Sequence, residues 1–403
     1  MRLFYVDSGL RGDIGHHANY CRTIASELSK RDVPITIIGF AGIDESLRAE
    51  LGVLPLLRTY IYYLSDGDPL AGWLNAFEQV SHVTRQDMAR ITGVTAEDIV
   101  YIASAFPGQL MGAIRWLGDL PPHNRPLVLV DLLSHPGIEV RHEAPGYVFR
   151  PRREDPRAML YRYAAQFIAR SKIERLVVAY ADRVGADIYS KVLGVAVTPL
   201  PSAFEAVTRR RNRAGCDPFN LAFLGSQRNE EKGYHLVPEL VVGLLQSHPT
   251  IRIRVHNSCP GNFPAASDAV RKLAAVEPRM VLDERAVDLP DWAQLLDTTD
   301  LMVCPYSHEI YEFMSSGVHA EAIANAIPSV VPAGTALSRA LQEFGGGGTT
   351  FERFESSSIL TATRHALDHF DQYAENAWAG SNTWLLNCGP ARLVDTILKL
   401  SQH

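Results

Sequence analysis

Four stretches of the chain gather residues able to hold or move charge. The richest is "CPYSHEIYEFMSSGVHAEA", residues 304–322, which sets Glu309, Glu312, Ser315, Ser316, Gly317 and Glu321 behind an apolar run at 301–306. Small residues leave backbone N–H groups open to an anion such as phosphate. A carboxylate in the first turn of the Ala-rich helix that follows can accept both hydroxyls of a ribose. The helix dipole favours an acid at that position in any protein, but packing alone does not ask for the Ser-Ser-Gly turn before it. The second stretch is "FLGSQRNEEKGYHLVPEL", 223–240, in which an apolar strand stops at Gly225, Arg228 and Lys232 follow, and Gly233 opens a helix. Arginine grips phosphate with a fork of N–H groups and lysine adds a point charge, so the pair suits a diphosphate. A surface loop whose cations pair with Glu230 and Glu231 reads the same way.

The third stretch, "DSGLRGDIGHH" at 7–17, spaces Gly9, Gly12 and Gly15 as G-x-x-G-x-x-G, which is not the dinucleotide fingerprint. Gly15 stands where a helix begins, letting backbone approach a ligand near the positive helix end; a plain tight turn is the alternative. The fourth, "VDLLSHPG" at 130–137, carries His135 at the end of a strand, placed either to face a cleft or to serve its own turn. His365 and His369 are spaced i, i+4, but no third ligand accompanies them, and His16-His17 also lack partners for a metal. No G-x-S-x-G stretch or reactive-cysteine context is present, which argues against a nucleophilic hydrolase.

The elements that position these residues read as two successive β/α series. Strands are expected at 2–7, 34–40, 98–104, 126–133 and 175–180, and again at 219–225, 251–256, 280–284, 301–306 and 328–333. They are apolar on both faces, as in a covered parallel sheet. Ala18, Cys21, Ile24, Ala25 and Leu28 form a helical stripe between the first two strands. Helices are expected at 233–247, 265–276, 289–297, 317–326 and 335–343, with a helical segment over 355–403. Such a pattern specifies an α/β protein of two doubly wound domains, which bind ligands beyond the carboxyl ends of their strands. The boundary is expected between Pro201 and Asp217. "FGGGGTT" (344–350) reads as a flexible loop or a breaker, and "HEAPGYVFRPRREDP" (142–156) as a mobile loop.

A length of 403 residues exceeds one ordinary core, and 46% hydrophobic with 21% charged residues is a globular composition. A net charge of -6 argues against an overall nucleic-acid binder. The basic clusters "RPRRED" (150–155) and "TRRRNR" (208–213) read as solvated loop or linker, or as contacts for an anionic membrane surface or acceptor. Five scattered cysteines fit free thiols in a reducing cytoplasm. No apolar run approaches the ~20 residues of a membrane span, and the N-terminus shows no secretory signal pattern.

With these stretches in hand, the chain resembles the GT-B glycosyltransferases, especially the large retaining group that includes bacterial lipopolysaccharide, capsule and mannosyl transferases. The resemblance is strongest over 219–337. It implies a GT-B fold, two Rossmann-like domains facing a central cleft. The first, 1–205, would form the acceptor side, completed by the C-terminal helix at 385–403; the second, 206–384, would bind the donor. It also implies a nucleotide-sugar donor, a glycan, lipid-linked or small-molecule acceptor, no metal and no other cofactor. The location implied is cytoplasmic, with room for peripheral contact at the inner face of a membrane. Donor-binding roles pass to Gly15, Arg228, Lys232, Ser315, Ser316, Gly317 and Glu321, and cleft roles at the reacting sugar to His135 and Glu312. One departure concerns stereochemistry. The first acid of the family's pair should stand eight residues before Glu321, where this chain has Phe313; Glu312 is one place early. Two other functions are compatible with the same residues: a non-hydrolysing nucleotide-sugar epimerase, and a non-catalytic nucleotide-sugar-binding partner.

Overall fold

The computed structural model describes residues 1–12, 16–62, 69–133, 135–143, 146–171, 173–205, 219–226 and 230–401. The chain divides into two compact units, Met1–Pro201 with Leu393–His403, and Ser202–Arg392.

Unit 1 runs β1 (Leu3–Asp7), α1 (His16–Ser29), β2 (Ile35–Phe40), α2 (Glu45–Leu51), β3 (Leu54–Leu57), α3 (Pro69–Met88), β4 (Ile99–Ala105), α4 (Pro107–Asp119), β5 (Leu127–Leu132), β6 (Ile138–Glu143), β7 (Gly146–Pro151), α5 (Arg157–Arg170), β8 (Leu176–Tyr180), α6 (Arg183–Leu193) and β9 (Val197–Pro199). Seven strands form one parallel sheet in the order β3-β2-β1-β4-β5-β8-β9. Every residue of β1, β4 and β5 is buried, because helices cover both faces. The α1 stripe is buried as expected, with Ala18, Cys21, Ile24 and Leu28 against the sheet. Helix α6 is fixed at both ends: Asp182 accepts from the Gly185 N–H, and Gly194, at φ 72°, closes the last turn on the Ser190 carbonyl.

Unit 2 runs β10 (Phe219–Phe223), α7 (Val237–Ser247), β11 (Ile251–His256), α8 (Pro264–Val276), β12 (Met280–Asp283), α9 (Leu289–Asp297), β13 (Leu301–Val303), α10 (His308–Tyr311), α11 (Gly317–Ala324), β14 (Ser329–Pro332), α12 (Ala336–Glu343), β15 (Gly348–Phe351), α13 (Ser356–Asp368) and α14 (Phe370–Asn387). Its six-stranded parallel sheet has the order β12-β11-β10-β13-β14-β15. The last helix, α15 (Pro390–Leu400), carries the chain back, and its Leu393, Val394 and Ile397 are buried.

In both units the first strand is central. The chain winds outward on one side and then restarts on the other, between β1 and β4 and between β10 and β13. Loops leaving the two strands at such a reversal diverge, which opens a crevice at their carboxyl ends.

Two expectations are corrected. Residues 142–143 and 146–151 belong to paired strands, β6 running antiparallel to β7 from Ile138↔Pro151 to Glu143↔Gly146. The basic run after it is partly anchored: the Arg152 Nε donates to the Ile138 carbonyl at 3.0 Å, and Arg157 pairs with Asp155 at 2.5 Å. The glycine run at 345–348 leads into β15, the edge strand beside β14. Its glycines reflect close packing: a Cβ on Gly348 would lie 2.0 Å from the Ser329 carbonyl oxygen. The basic cluster at 208–213 lies outside the described residues.

Candidate functional site

The site is best developed at the reversal point of unit 2, where the loops after β10 and β13 meet. They are joined by backbone, the Ser307 N–H donating to the Glu231 carbonyl at 2.7 Å. Gly233 makes the approach possible. It sits at φ 66°, and a Cβ there would stand 1.9 Å from the Pro305 carbonyl oxygen.

That junction fixes Lys232. It ends a short 3-10 turn, Glu230–Lys232, and its Nζ lies 5.9 Å from the centre of the Tyr306 ring. A Cβ built on Gly225 would be 3.9 Å from the Lys232 Nζ and 3.4 Å from the Val318 Cγ2, so the ammonium lies close to the start of α11. Tyr306 stacks on Tyr311 at 4.6 Å, and its hydroxyl lies beside the Ser316 side chain.

Ser316 is the N-cap of α11 and accepts from the His319 N–H at 3.3 Å. His319 is buried, with its Nε2 3.1 Å from the Ser329 Oγ, which pins the helix start to β14. Ser315 is exposed, and Ser316 and Gly317 are half-buried. Helix α11 therefore begins with the small residues expected, beside a cation.

Glu321 differs from expectation in its place on the helix. It stands in the second turn, and the first turn of α11 carries no acid. Three residues beyond Val318, it shares the face that Lys232 approaches, about 4.5 Å further along the axis. The Trp292 Nε1–H of α9 donates to the Glu321 Oε2 at 3.0 Å. The residue is partly covered, yet its carboxyl end is strongly desolvated. Burial pushes its pKa up to about 8, against the opposing pull of the indole donor.

The other expected residues are placed as follows. Glu312 caps α10, and its carbonyl accepts from the Arg339 Nη2 at 2.7 Å. The same guanidinium lies 5.9 Å from the ring of Phe313, which is buried at the position of the absent first acid. His135, in unit 1, is buried, and its Nδ1 accepts from the Gly137 N–H at 3.0 Å. Burial, with Arg152 and Arg157 nearby, drives its pKa down to about 3, so the imidazole stays neutral. Gly15 and Arg228 lie outside the described residues.

Two site residues were not singled out from sequence. Trp292 holds Glu321, and His256, the last residue of β11, lies 6.0 Å from the Trp292 ring. The His256 Nε2 bonds to the Arg285 carbonyl at 2.9 Å, while its buried Nδ1 has no hydrogen-bond partner among the described residues. Only the position of His256 at a strand's carboxyl end could have marked it. Among the described residues no group of three His, Cys, Asp or Glu could hold a metal ion, and no helix is long and apolar enough to cross a membrane.

Two parallel, helix-covered sheets of this topology define the two-domain Rossmann-like GT-B fold. The comparisons agree at the level of fold. The chain is similar to sucrose-phosphate synthase from Thermosynechococcus elongatus, with a TM-score of 0.65 and 11% identity over 100% of this chain and 98% of that one. HepE from Anabaena, solved with UDP, matches with a TM-score of 0.62 and 14% identity over the whole of both chains. MnaA from S. aureus, also solved with UDP, matches with a TM-score of 0.55 and 11% identity over 99% of this chain and 95% of that one. Neither a family model nor a curated protein matches the sequence.

Proposed function

We propose that the protein is a glycosyltransferase that takes a sugar from a nucleoside-diphosphate donor held by unit 2 and passes it to a hydroxyl acceptor. The observation that carries this reading is the shared face of α11, with the Lys232 ammonium beside Val318 and the Glu321 carboxyl one turn on. A diphosphate and a ribose are separated on the same scale. In this reading Lys232, Arg228 and the N–H groups at the start of α11 take the diphosphate, with Ser315, Ser316 and Gly317 shaping the turn, and Glu321 takes the ribose hydroxyls. As the bond to the sugar breaks, negative charge grows on the diphosphate, and fixed cations stabilise it without reorganising. HepE, of the same fold, has been solved in complex with UDP and glucose and with UDP-glucose, which supports a nucleotide-sugar donor.

The test is a thermal-shift panel of UDP, GDP, ADP and dTDP, with and without EDTA. One of them at 100 times its Kd should stabilise the protein by about 2.7 kcal/mol. EDTA should change nothing if no metal takes part. Lys232→Met should weaken that ligand by about tenfold or more, the scale of a lost charged hydrogen bond. No response to any diphosphate overturns the reading.

An epimerase is the second reading, favoured by a match to a putative UDP-N-acetylglucosamine 2-epimerase from Listeria monocytogenes at a TM-score of 0.53. Incubation with a nucleotide sugar and no acceptor separates the two, because an epimerase turns over alone.

A further inference from the structure

The carboxyl end of the unit 1 sheet carries a row of aromatic rings that the donor reading does not use. Phe40 ends β2, Tyr60 and Tyr62 follow β3, Phe106 follows β4, and Trp73 stands on α3. Ring centres are 5.5 Å apart from Phe40 to Tyr60 and from Tyr60 to Tyr62, 6.5 Å from Tyr62 to Phe106, and 5.6 Å from Phe106 to Trp73. A guanidinium lies at each end, Arg11 at 5.6 Å from the Tyr60 ring and Arg157 at 5.0 Å from the Trp73 ring. Packing does not account for the row. Tyr5, Tyr101 and Tyr161 serve the core of this unit and are fully covered, whereas all five rings of the row keep surface in contact with solvent, and Tyr62 is 36% exposed. They stand beyond strand ends, where a doubly wound sheet takes its ligands.

The middle ring is held from below. The Tyr62 hydroxyl lies 3.1 Å from the His17 Nε2. Asp7, the last residue of β1, is buried and accepts from the Gly9 N–H at 2.8 Å, from the Tyr5 hydroxyl at 3.2 Å and from the His17 Nδ1 at 2.9 Å. Burial pushes the Asp7 carboxyl up, but His17 and the Gly9 N–H outweigh it and hold it below the usual carboxylate range. An ionised carboxylate only accepts, so a neutral imidazole carries its proton on Nδ1 and takes the Tyr62 O–H on Nε2. The Tyr62 ring is thereby oriented before any ligand arrives.

The inclination of the rings selects the ligand. Neighbouring planes meet at 52°, 68°, 70° and 60° along the row, so no two offer the parallel faces that a flat aromatic ligand needs. Stepped faces suit a chain whose units turn one against the next. A hexose lays an apolar C–H face on an aromatic ring and surrounds it with hydroxyls that need polar neighbours, which the Tyr60 and Tyr62 hydroxyls and the Arg11 guanidinium supply. An acyl chain would cover those polar tips without pairing them.

We propose that this row is a saccharide-binding platform, and that the acceptor is a sugar unit of an oligosaccharide laid across the rings from Tyr60 to Trp73. The platform belongs to unit 1 alone; calling its saccharide the acceptor rests on the glycosyl-transfer reading above.

The experiment screens the full chain, without donor, on an array of oligosaccharides of glucose, mannose, galactose and N-acetylhexosamines, and titrates the best ligand by calorimetry. At least one should bind, more tightly as its length grows from one sugar to four. Tyr60→Ala and Trp73→Ala should each weaken it by about tenfold, the scale of uncovering part of one ring face. Trp73→Phe keeps a ring and should lose less. Far-UV circular dichroism checks that each variant is folded, and nucleoside-diphosphate binding should be unchanged in all three. No oligosaccharide bound, or alanine variants that bind as wild type does, overturns the platform and leaves the transfer reading standing. Binding of phosphatidylglycerol vesicles or of 4-nitrophenol in place of any saccharide, lost in Trp73→Ala, overturns it too. A protein that binds an oligosaccharide with these losses but no nucleoside diphosphate overturns the transfer reading and keeps the platform.

Discussion

Glu321 gives the sharpest test of the proposed donor site, because its environment and its proposed task pull in opposite directions. In the free protein, burial raises its pKa to about 8. A ribose diol that donates two hydrogen bonds needs the ionised form. Ligand binding must therefore expel the proton, and affinity should rise with pH. With a pKa of about 8 the carboxylate is roughly a hundredth populated at pH 6, a tenth at pH 7 and half at pH 8. Affinity for a nucleoside diphosphate should then increase by up to about 50-fold from pH 6 to pH 8, and at pH 7 deprotonation costs about 1.4 kcal/mol. Glu321→Gln keeps an oxygen for the Trp292 Nε1–H and abolishes the titration. At pH 8 the variant should bind about 10–150-fold more weakly, from the ~1.5–3 kcal/mol of a charged hydrogen bond. At pH 6 that ratio should shrink to a few-fold. Isothermal titration calorimetry at pH 6, 7 and 8, in two buffers of different ionisation enthalpy, measures both the affinity and the protons released. The phosphate groups titrate in this range too, so the quantity to read is the ratio of variant to wild type. A ratio constant from pH 6 to pH 8 would refute the coupling between this carboxylate and the ligand.

Three further outcomes follow from the same geometry. Trp292→Phe removes the donor that opposes the burial effect on Glu321, so the pH midpoint of diphosphate binding should move upward, as read by the same titration. Gly233→Ala places a methyl group against the Pro305 carbonyl at a left-handed backbone position. It should cost about 1–3 kcal/mol of strain and weaken diphosphate binding while far-UV circular dichroism stays close to wild type. Asp131→Asn concerns unit 1, where burial raises the Asp131 carboxyl to about 7 against the donated hydroxyl of Tyr101 at 3.1 Å. A carboxyl raised in the folded state lends its stability below the unfolded pKa of about 4 and loses it as pH rises through about 7. The variant should therefore gain on wild type between pH 5 and pH 8, read as a growing difference in thermal midpoint.

The fold was legible because its cues are local. Runs such as "DIVYIAS" and "PLVLVDLL" are apolar on both faces, and only a sheet covered on both sides buries them. Segments that failed to register lack that signature. Leu54–Leu57 and Val197–Pro199 are short edge strands, and the paired strands Ile138–Glu143 and Gly146–Pro151 are rich in charge. At the start of α11 the Ser-Ser-Gly turn stood out because packing alone does not ask for it. Trp292 did not, since its indole serves Glu321 from 29 residues away and looks like any amphipathic helix aromatic in sequence. The contact between His17 and Asp7 is not legible in sequence either, since Asp7 lies ten residues back on a different element.

The two reversal points share a design that the sequence cannot display. Each places one buried carboxyl where the loops of the first strand diverge, but the partners differ. Asp7 meets an imidazole and a backbone N–H, and these outweigh burial, so it is charged before any ligand arrives. Glu321 meets only an indole N–H, which does not, so it is mostly neutral at pH 7. A permanently ionised acid can hold a neutral histidine in one tautomer. An acid kept neutral until a diol displaces its proton can bind the donor and let it go, with pH setting the balance. Interchanging their environments would change both: a neutral Asp7 would release the imidazole to its other tautomer, and a permanently charged Glu321 would leave only the phosphate groups' own titration in the pH dependence of nucleoside-diphosphate affinity.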